Sequence, residues 1–208
     1  MTADYSLYLA TDPILLGQRD LCNVVAEAVD AGVTVVQLRD KTAGGADLYR
    51  TACRLLEVTR PRGVPLIVND RVDVALAARA DGVHVGVDDL PLEQVRRLVG
   101  PDSIVGYSVN TDRDLDVAAA FGADYIGVGP LFPTATKPDA RTVLGVDGLR
   151  RLAARATCPV VAIGGITSAN CADAISCGAA GICVISAILG QADISAAVTG
   201  FRSALSRR

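Results

Sequence analysis

A closed (β/α)8 barrel, the TIM-barrel class of α/β folds, is what the sequence predicts, on three observations. Short apolar runs alternate with helix-period segments eight times along the 208 residues, the pattern of parallel strands joined by crossover helices. Half of the residues are hydrophobic but only 4% are aromatic, so the core must come from Val, Ile, Leu and Ala, as in parallel sheets buried on both faces. No strand is followed by G-x-G-x-x-G, which weakens the alternative of a doubly wound open sheet around a dinucleotide. Residues 1–208 read as one domain, because a chain of this length buries roughly 70% of its unfolded surface in a single fold.

The elements follow in order. Strands are read at Leu7 to Ala10, Thr34 to Leu38, Pro65 to Val68 and Gly82 to Val85. Behind the fourth, Leu92, Val95, Leu98 and Val99 recur at helical spacing; Pro91 suits a first turn, and Gly100 with Pro101 ends the run. The fifth strand is read at Ile104 to Tyr107. Thr111 with Asp114 then resembles a capping pair ahead of Leu115, Ala118 and Ala119. Strands six to eight are read at Tyr125 to Gly129, Val160 to Ile163 and Ile182 to Ile185, with the stripe Cys171, Ala174 and Ile175 between the last two, ended by Gly178. The sole histidine, His84, lies inside the fourth strand between Val83 and Val85. Alternation points it away from both, and it reads as a hydrogen-bonded interior or helix-facing side chain rather than a catalytic one.

Charge and cysteine usage exclude several functions. A formal net charge of -3 argues against a general nucleic-acid binder. Six scattered cysteines with no C-x-x-C pair, and one histidine, make zinc unsuited. Free thiols fit a reducing cytosol, and no apolar stretch approaches the 18 residues of a membrane span. The expectation is a cytoplasmic protein with small-molecule partners, bound neither to nucleic acid nor to membrane.

In this fold, sites form just past the C-terminal ends of the strands, and those positions are polar. They supply Gln37, Arg39 and Lys41, then Asn69 and Asp70, then Asp88 and Asp89, then Ser108 and Asn110. After the sixth strand comes a loop with Thr134, Thr136 and Lys137, stiffened by Pro130, Pro133 and Pro138. Hydroxyls and an ammonium suit an anion. Ala-Ile-Gly-Gly-Ile at 162 to 166 and Cys-Val-Ile-Ser-Ala at 183 to 187 fit a phosphate site between the last two strands. The same glycines also suit a tight turn, with Thr167 or Ser168 capping the next helix. Across the rim, Arg39, Lys41 and Lys137 with Asp70 and Asp89 suit Mg2+ and a diphosphate, although both carboxylates are also placed to cap helices.

QLRDK at 37 to 41, VNDRVDVALAARADGVHVG at 68 to 86, DDLP at 88 to 91, GPLFPTATK at 129 to 137, and AIGGI with VISAI together resemble the thiamine phosphate synthase family, from Tyr8 through Ile188. The resemblance implies a transferase that joins 4-amino-2-methyl-5-hydroxymethylpyrimidine diphosphate to 4-methyl-5-(2-phosphoethyl)thiazole, releasing diphosphate. Carried over by motif, Gln37, Leu38, Arg39, Asp40, Lys41, Asn69, Ser108 and Lys137 would bind the pyrimidine diphosphate, and Asp70 and Asp89 would hold Mg2+. Thr134, Ala135 and Thr136, with Gly165, Ile185 and Ser186, would bind the thiazole phosphate. Arg39, Lys41, Ser108 and Lys137 form the implied catalytic set. Two positions depart from the family pattern: Val87 stands where Gln is usual, and Asn110 where His is usual. A thiazole phosphate tautomerase on the same barrel, and a non-catalytic sensor of thiamine phosphate or its precursors, are the competing readings.

Overall fold

The computed structural model describes residues 3–134 and 143–206. Eight strands lie in one closed parallel barrel in sequential order: β1 (Leu7–Ala10), β2 (Val35–Leu38), β3 (Leu66–Asn69), β4 (Gly82–Val85), β5 (Ile104–Val109), β6 (Tyr125–Val128), β7 (Val160–Ile163) and β8 (Gly181–Val184). The seam closes where Leu7 pairs with Ile182 and Leu9 with Val184. The expected barrel is therefore the fold found.

Crossover helices cover the outside, the longer ones each burying one apolar stripe. The first crossover carries α1 (Pro13–Leu16) and then α2 (Leu21–Asp30), which buries Val24, Val25, Ala28 and Val29. In α3 (Gly45–Thr59) the stripe is Leu48, Ala52, Leu55 and Leu56, and α4 (Val72–Ala78) and α5 (Leu92–Val99) follow. The capping pair expected for α6 (Asp112–Ala120) is present, with Thr111 and Asp114 satisfying each other's backbone N–H groups. The outer layer is completed by α7 (Gly145–Ala153), α8 (Cys171–Ser176), α9 (Ser186–Leu189) and α10 (Ile194–Ser206).

Several boundaries differ from the sequence reading, for local reasons. Two residues longer than expected, β5 contains Ser108 rather than ending before it. Gly129 leaves β6 ahead of Pro130, which has no N–H to give a ladder. Ile185 turns out of β8 at φ -121° and ψ -82° to start α9. Leu98, expected in the buried stripe of α5, is 57% exposed, and Ala119 of α6 also faces out. Among the described residues no helix is long and apolar enough to cross a membrane.

Candidate active site

The C-terminal ends of the strands surround a cavity of about 280 Å³. From β2 and the loop behind it, Gln37, Arg39 and Lys41 enter the wall, with Asn69 and Asp70 beside them from β3. Asp88 and Asp89 follow β4, and Ser108 and Asn110 come from the end of β5. Thr134 reaches the wall from the loop after β6, and Gly165, Ile185 and Ser186 close the ring. Ala135, Thr136 and Lys137 lie outside the described residues.

Two expected contacts lie elsewhere. Leu38 alternates with Gln37 along β2, so its side chain points away from the cavity and is buried in the core, 2% exposed. Asp40 turns its carboxylate onto its own loop, accepting from the Thr42 N–H and hydroxyl and from the Ala43 N–H. Those hydrogen bonds hold its carboxyl below the ordinary range against partial burial. Val87, one of the two departures, lines the cavity as Asn110 does.

The acidic and basic groups meet on the β2 to β4 arc. Lys41 Nζ lies 2.7 Å from Asp70 Oδ2. Asp70 holds φ 63°, unusual for a side-chain-bearing residue. It is the centre of a tight turn in which the Arg71 N–H reaches back to the Asn69 carbonyl at 2.7 Å. Asp89 accepts from the Gly86 N–H at 2.7 Å. Burial raises its carboxyl above the ordinary value; the Gly86 bond opposes this, and the nearby Asp70 carboxylate adds to it. Two carboxylates that crowd each other beside an open cavity are a donor set suited to a hard cation completed by substrate oxygens and water. Among the described residues no cluster of three or more His, Cys, Asp or Glu side chains could form a cage of its own.

Arg39 is held from behind. Its Nη1 lies 3.3 Å from Asp12 Oδ2, and its backbone exchanges two hydrogen bonds with the Thr11 hydroxyl. Asp12, 7% exposed, uses its other oxygen to cap α1 at Ile14 and Leu15. Sequence reasoning missed this residue, though Thr11-Asp12-Pro13 carries the signal: an N-cap acid before a proline at the first helical position.

On the opposite arc, Gly164 and Gly165 take φ 97° and 65° at the end of β7. A Cβ on Gly165 would sit 2.6 Å from the Pro133 carbonyl oxygen, so the positive φ and the close approach both require glycine. The loop after β6 lies against this turn, with the Leu131 N–H on the Ile163 carbonyl and the Phe132 N–H on Gly164. Thr134 is thereby brought beside the same turn.

The floor carries a row of polar side chains whose linkage through Tyr8 and Tyr125 the sequence did not announce. Gln37 Nε2 donates to Tyr8 Oη at 2.9 Å, and Tyr8 Oη lies 2.7 Å from Tyr125 Oη. Tyr125 Oη is 3.0 Å from His84 Nδ1, and His84 Nε2 is 2.9 Å from Ser108 Oγ. His84 is thus an interior hydrogen-bonded side chain, as its alternation predicts. Burial raises both tyrosine hydroxyls well above their ordinary pKa, so they stay protonated.

Against this geometry, the profile described as "Thiamine monophosphate synthase" matches residues 7–188. The chain belongs to the thiamine monophosphate synthase family. It is 48% identical over 200 residues to the thiamine-phosphate synthase of Desulfitobacterium hafniense strain Y51, covering 96% of this chain and 97% of the relative. The protein of the same name from Chloroflexus aurantiacus is 47% identical over 203 residues, covering 98% and 94%. The solved thiamine phosphate pyrophosphorylase from Pyrococcus furiosus superposes with TM-score 0.89 at 38% identity, covering 98% of this chain and 96% of that one. A 3-hexulose-6-phosphate synthase, TM-score 0.69 at 18% identity, shares the fold alone. This member of the thiamine monophosphate synthase family is a transferase of thiamine biosynthesis that forms thiamine phosphate.

Proposed function

We propose that the pyrimidine diphosphate lies with its diphosphate toward Arg39, Lys41 and the Asp70 and Asp89 pair, and that the thiazole phosphate is held at Thr134, Gly165, Ile185 and Ser186. The observation that carries this is the segregation of groups around one cavity. Charged side chains belong to the β2 to β4 arc, while uncharged donors and the glycine turn belong to the β7 to β8 arc across the ring. One end suits a polyanion with a cation; the other suits a monophosphate bound by N–H and O–H donors.

The C–O bond to the leaving diphosphate breaks first, and the oxygen takes the electron pair. The methylene cation left behind is stabilised by the aminopyrimidine ring, and the thiazole nitrogen lone pair forms the new C–N bond. Mg2+, held by Asp70, Asp89 and the substrate diphosphate, would neutralise charge that builds on the leaving group. Arg39, oriented by Asp12, and Lys41 donate to the same oxygens, and Lys137 and Ser108 complete the catalytic set. No protein nucleophile is needed. Loss of one such preorganised contact costs on the order of 100-fold to 1000-fold in rate. Asn69 and Gln37 would contact the pyrimidine half. The six cysteines form no disulfide, which supports a reducing, cytoplasmic setting.

The test is diphosphate release from the purified protein given both substrates, with and without Mg2+, with thiamine phosphate identified by mass spectrometry. Mg2+-dependent release with matched product is expected. Thiazole phosphate binding without any diphosphate release would turn the assignment toward the tautomerase or the sensor.

A further inference from the structure

The polar row across the barrel floor has a direction. An amide nitrogen only donates, so Tyr8 Oη accepts from Gln37 Nε2. The single Tyr8 proton then goes to Tyr125 Oη, and the Tyr125 proton to His84 Nδ1. His84 Nδ1 is thereby an acceptor, which leaves the ring proton on Nε2 and aimed at Ser108 Oγ. Ser108 receives that bond and has its own O–H to give. Among bonds within the row, this arrangement gives both phenol protons an acceptor while Gln37 keeps Nε2 on Tyr8. Turning the Gln37 amide over would reverse every bond, making Gln37 a donor to the cavity and Ser108 an acceptor.

The backbone makes room for this row. A Cβ on Gly106 of β5 would lie 2.4 Å from both Tyr125 Oη and His84 Nδ1, so the bond between β4 and β6 passes over a strand that must be glycine there. Tyr125 also packs against Tyr5, ring centroids 4.7 Å apart, which restricts where its hydroxyl points.

We propose that Gln37, Tyr8, Tyr125, His84 and Ser108 form a one-way hydrogen-bond chain that turns the Gln37 amide oxygen toward the substrate and keeps Ser108 a donor, so that Tyr8 and Tyr125 are positioning residues that select an aminopyrimidine. The recognition role rests on the reading that Gln37 and Ser108 meet the pyrimidine. An exocyclic amino group donates to an amide oxygen, and ring nitrogens or phosphate oxygens accept from a serine hydroxyl. A 4-oxo pyrimidine puts an acceptor where the amino donor belongs, and its C4 oxygen has no proton to give the Gln37 oxygen.

The chain contains one histidine, so its ring-nitrogen NMR signals need no assignment in tag-free, 15N-labelled protein. The expected result is a neutral His84 with its proton on Nε2, a fixed tautomer lost in Tyr125→Phe. A proton fixed on Nδ1 in the unsubstituted protein would overturn the direction. The second arm measures Kd for 4-amino-2-methyl-5-hydroxymethylpyrimidine monophosphate and its 4-oxo counterpart. The amino probe binds tighter, and the ratio falls about tenfold in Tyr125→Phe and in Tyr8→Phe, because the unlocked amide can turn over. Both variants are near-isosteric, and either one that retains the circular dichroism of the parent serves. A ratio unchanged in a folded variant would refute the positioning role. Failure of the parent to bind either probe would refute the pyrimidine reading of the site, and the recognition role with it, whichever tautomer is found.

Discussion

Asp89 stands where burial and a second carboxylate both oppose its charge, so the folded protein holds its proton more tightly than the unfolded chain does. The sign follows by linkage. A carboxyl with a raised folded pKa costs stability at neutral pH, where it is ionised, and that cost is relieved as pH falls through the raised value. Asp89→Asn is therefore expected to raise Tm at neutral pH in the absence of divalent ions while abolishing Mg2+-dependent turnover. Added Mg2+ should raise the Tm of the unsubstituted protein and leave that of the variant unmoved. A lowered Tm would argue against the opposed charge at Asp89, and an equal response of both proteins to Mg2+ would argue against the metal assignment.

At the scale of elements, the N-terminal face of the barrel is fastened by single side chains that span crossovers. Arg96 of α5 donates to the Gly100, Ser103 and Gly122 carbonyls and pairs with Asp124 at 2.6 Å. It thus joins the C-terminal end of a helix to the start of β6, far from the catalytic rim. Arg96→Ala should cost about 1–3 kcal/mol in urea denaturation, from acceptors left partly unpaired, while kcat stays within about twofold of the parent value. A large fall in kcat without loss of stability would contradict that division of labour. The helices that sequence reasoning placed, α5, α6 and α8, were legible through apolar spacing and end signals such as Thr111 with Asp114. The short α1 and α9 were not, because four residues contain no repeat of the helical period. Leu98 matched the spacing of α5 yet faces out, since periodicity names a face without telling how far the neighbouring helix covers it.

For the molecule as a whole, the rim was legible and the floor was not. Arg39, Asp70 and Ser108 announce themselves as polar breaks at the ends of apolar runs, whereas Tyr8 and Tyr125 sit inside such runs with nothing to mark them, and His84 was legible as hydrogen-bonded but its partners were not. Their partnership depends on the register among β1, β2, β4, β5 and β6, which no local pattern encodes. The resulting interior also gives the protein an optical handle. There is no tryptophan among the 208 residues and there are only five tyrosines, of which Tyr5, Tyr8 and Tyr125 are stacked or hydrogen-bonded together. Intrinsic emission therefore comes from phenols alone, and three of them change surroundings together when the strands separate. Tyrosine fluorescence is expected to follow the same urea transition as circular dichroism, because β1 and β6 lie across the ring from each other and lose contact only when it opens. An emission change completed well before the helical signal falls would mean that the ring opens while its outer layer stays folded, and would make light emission a gauge of barrel closure rather than of unfolding.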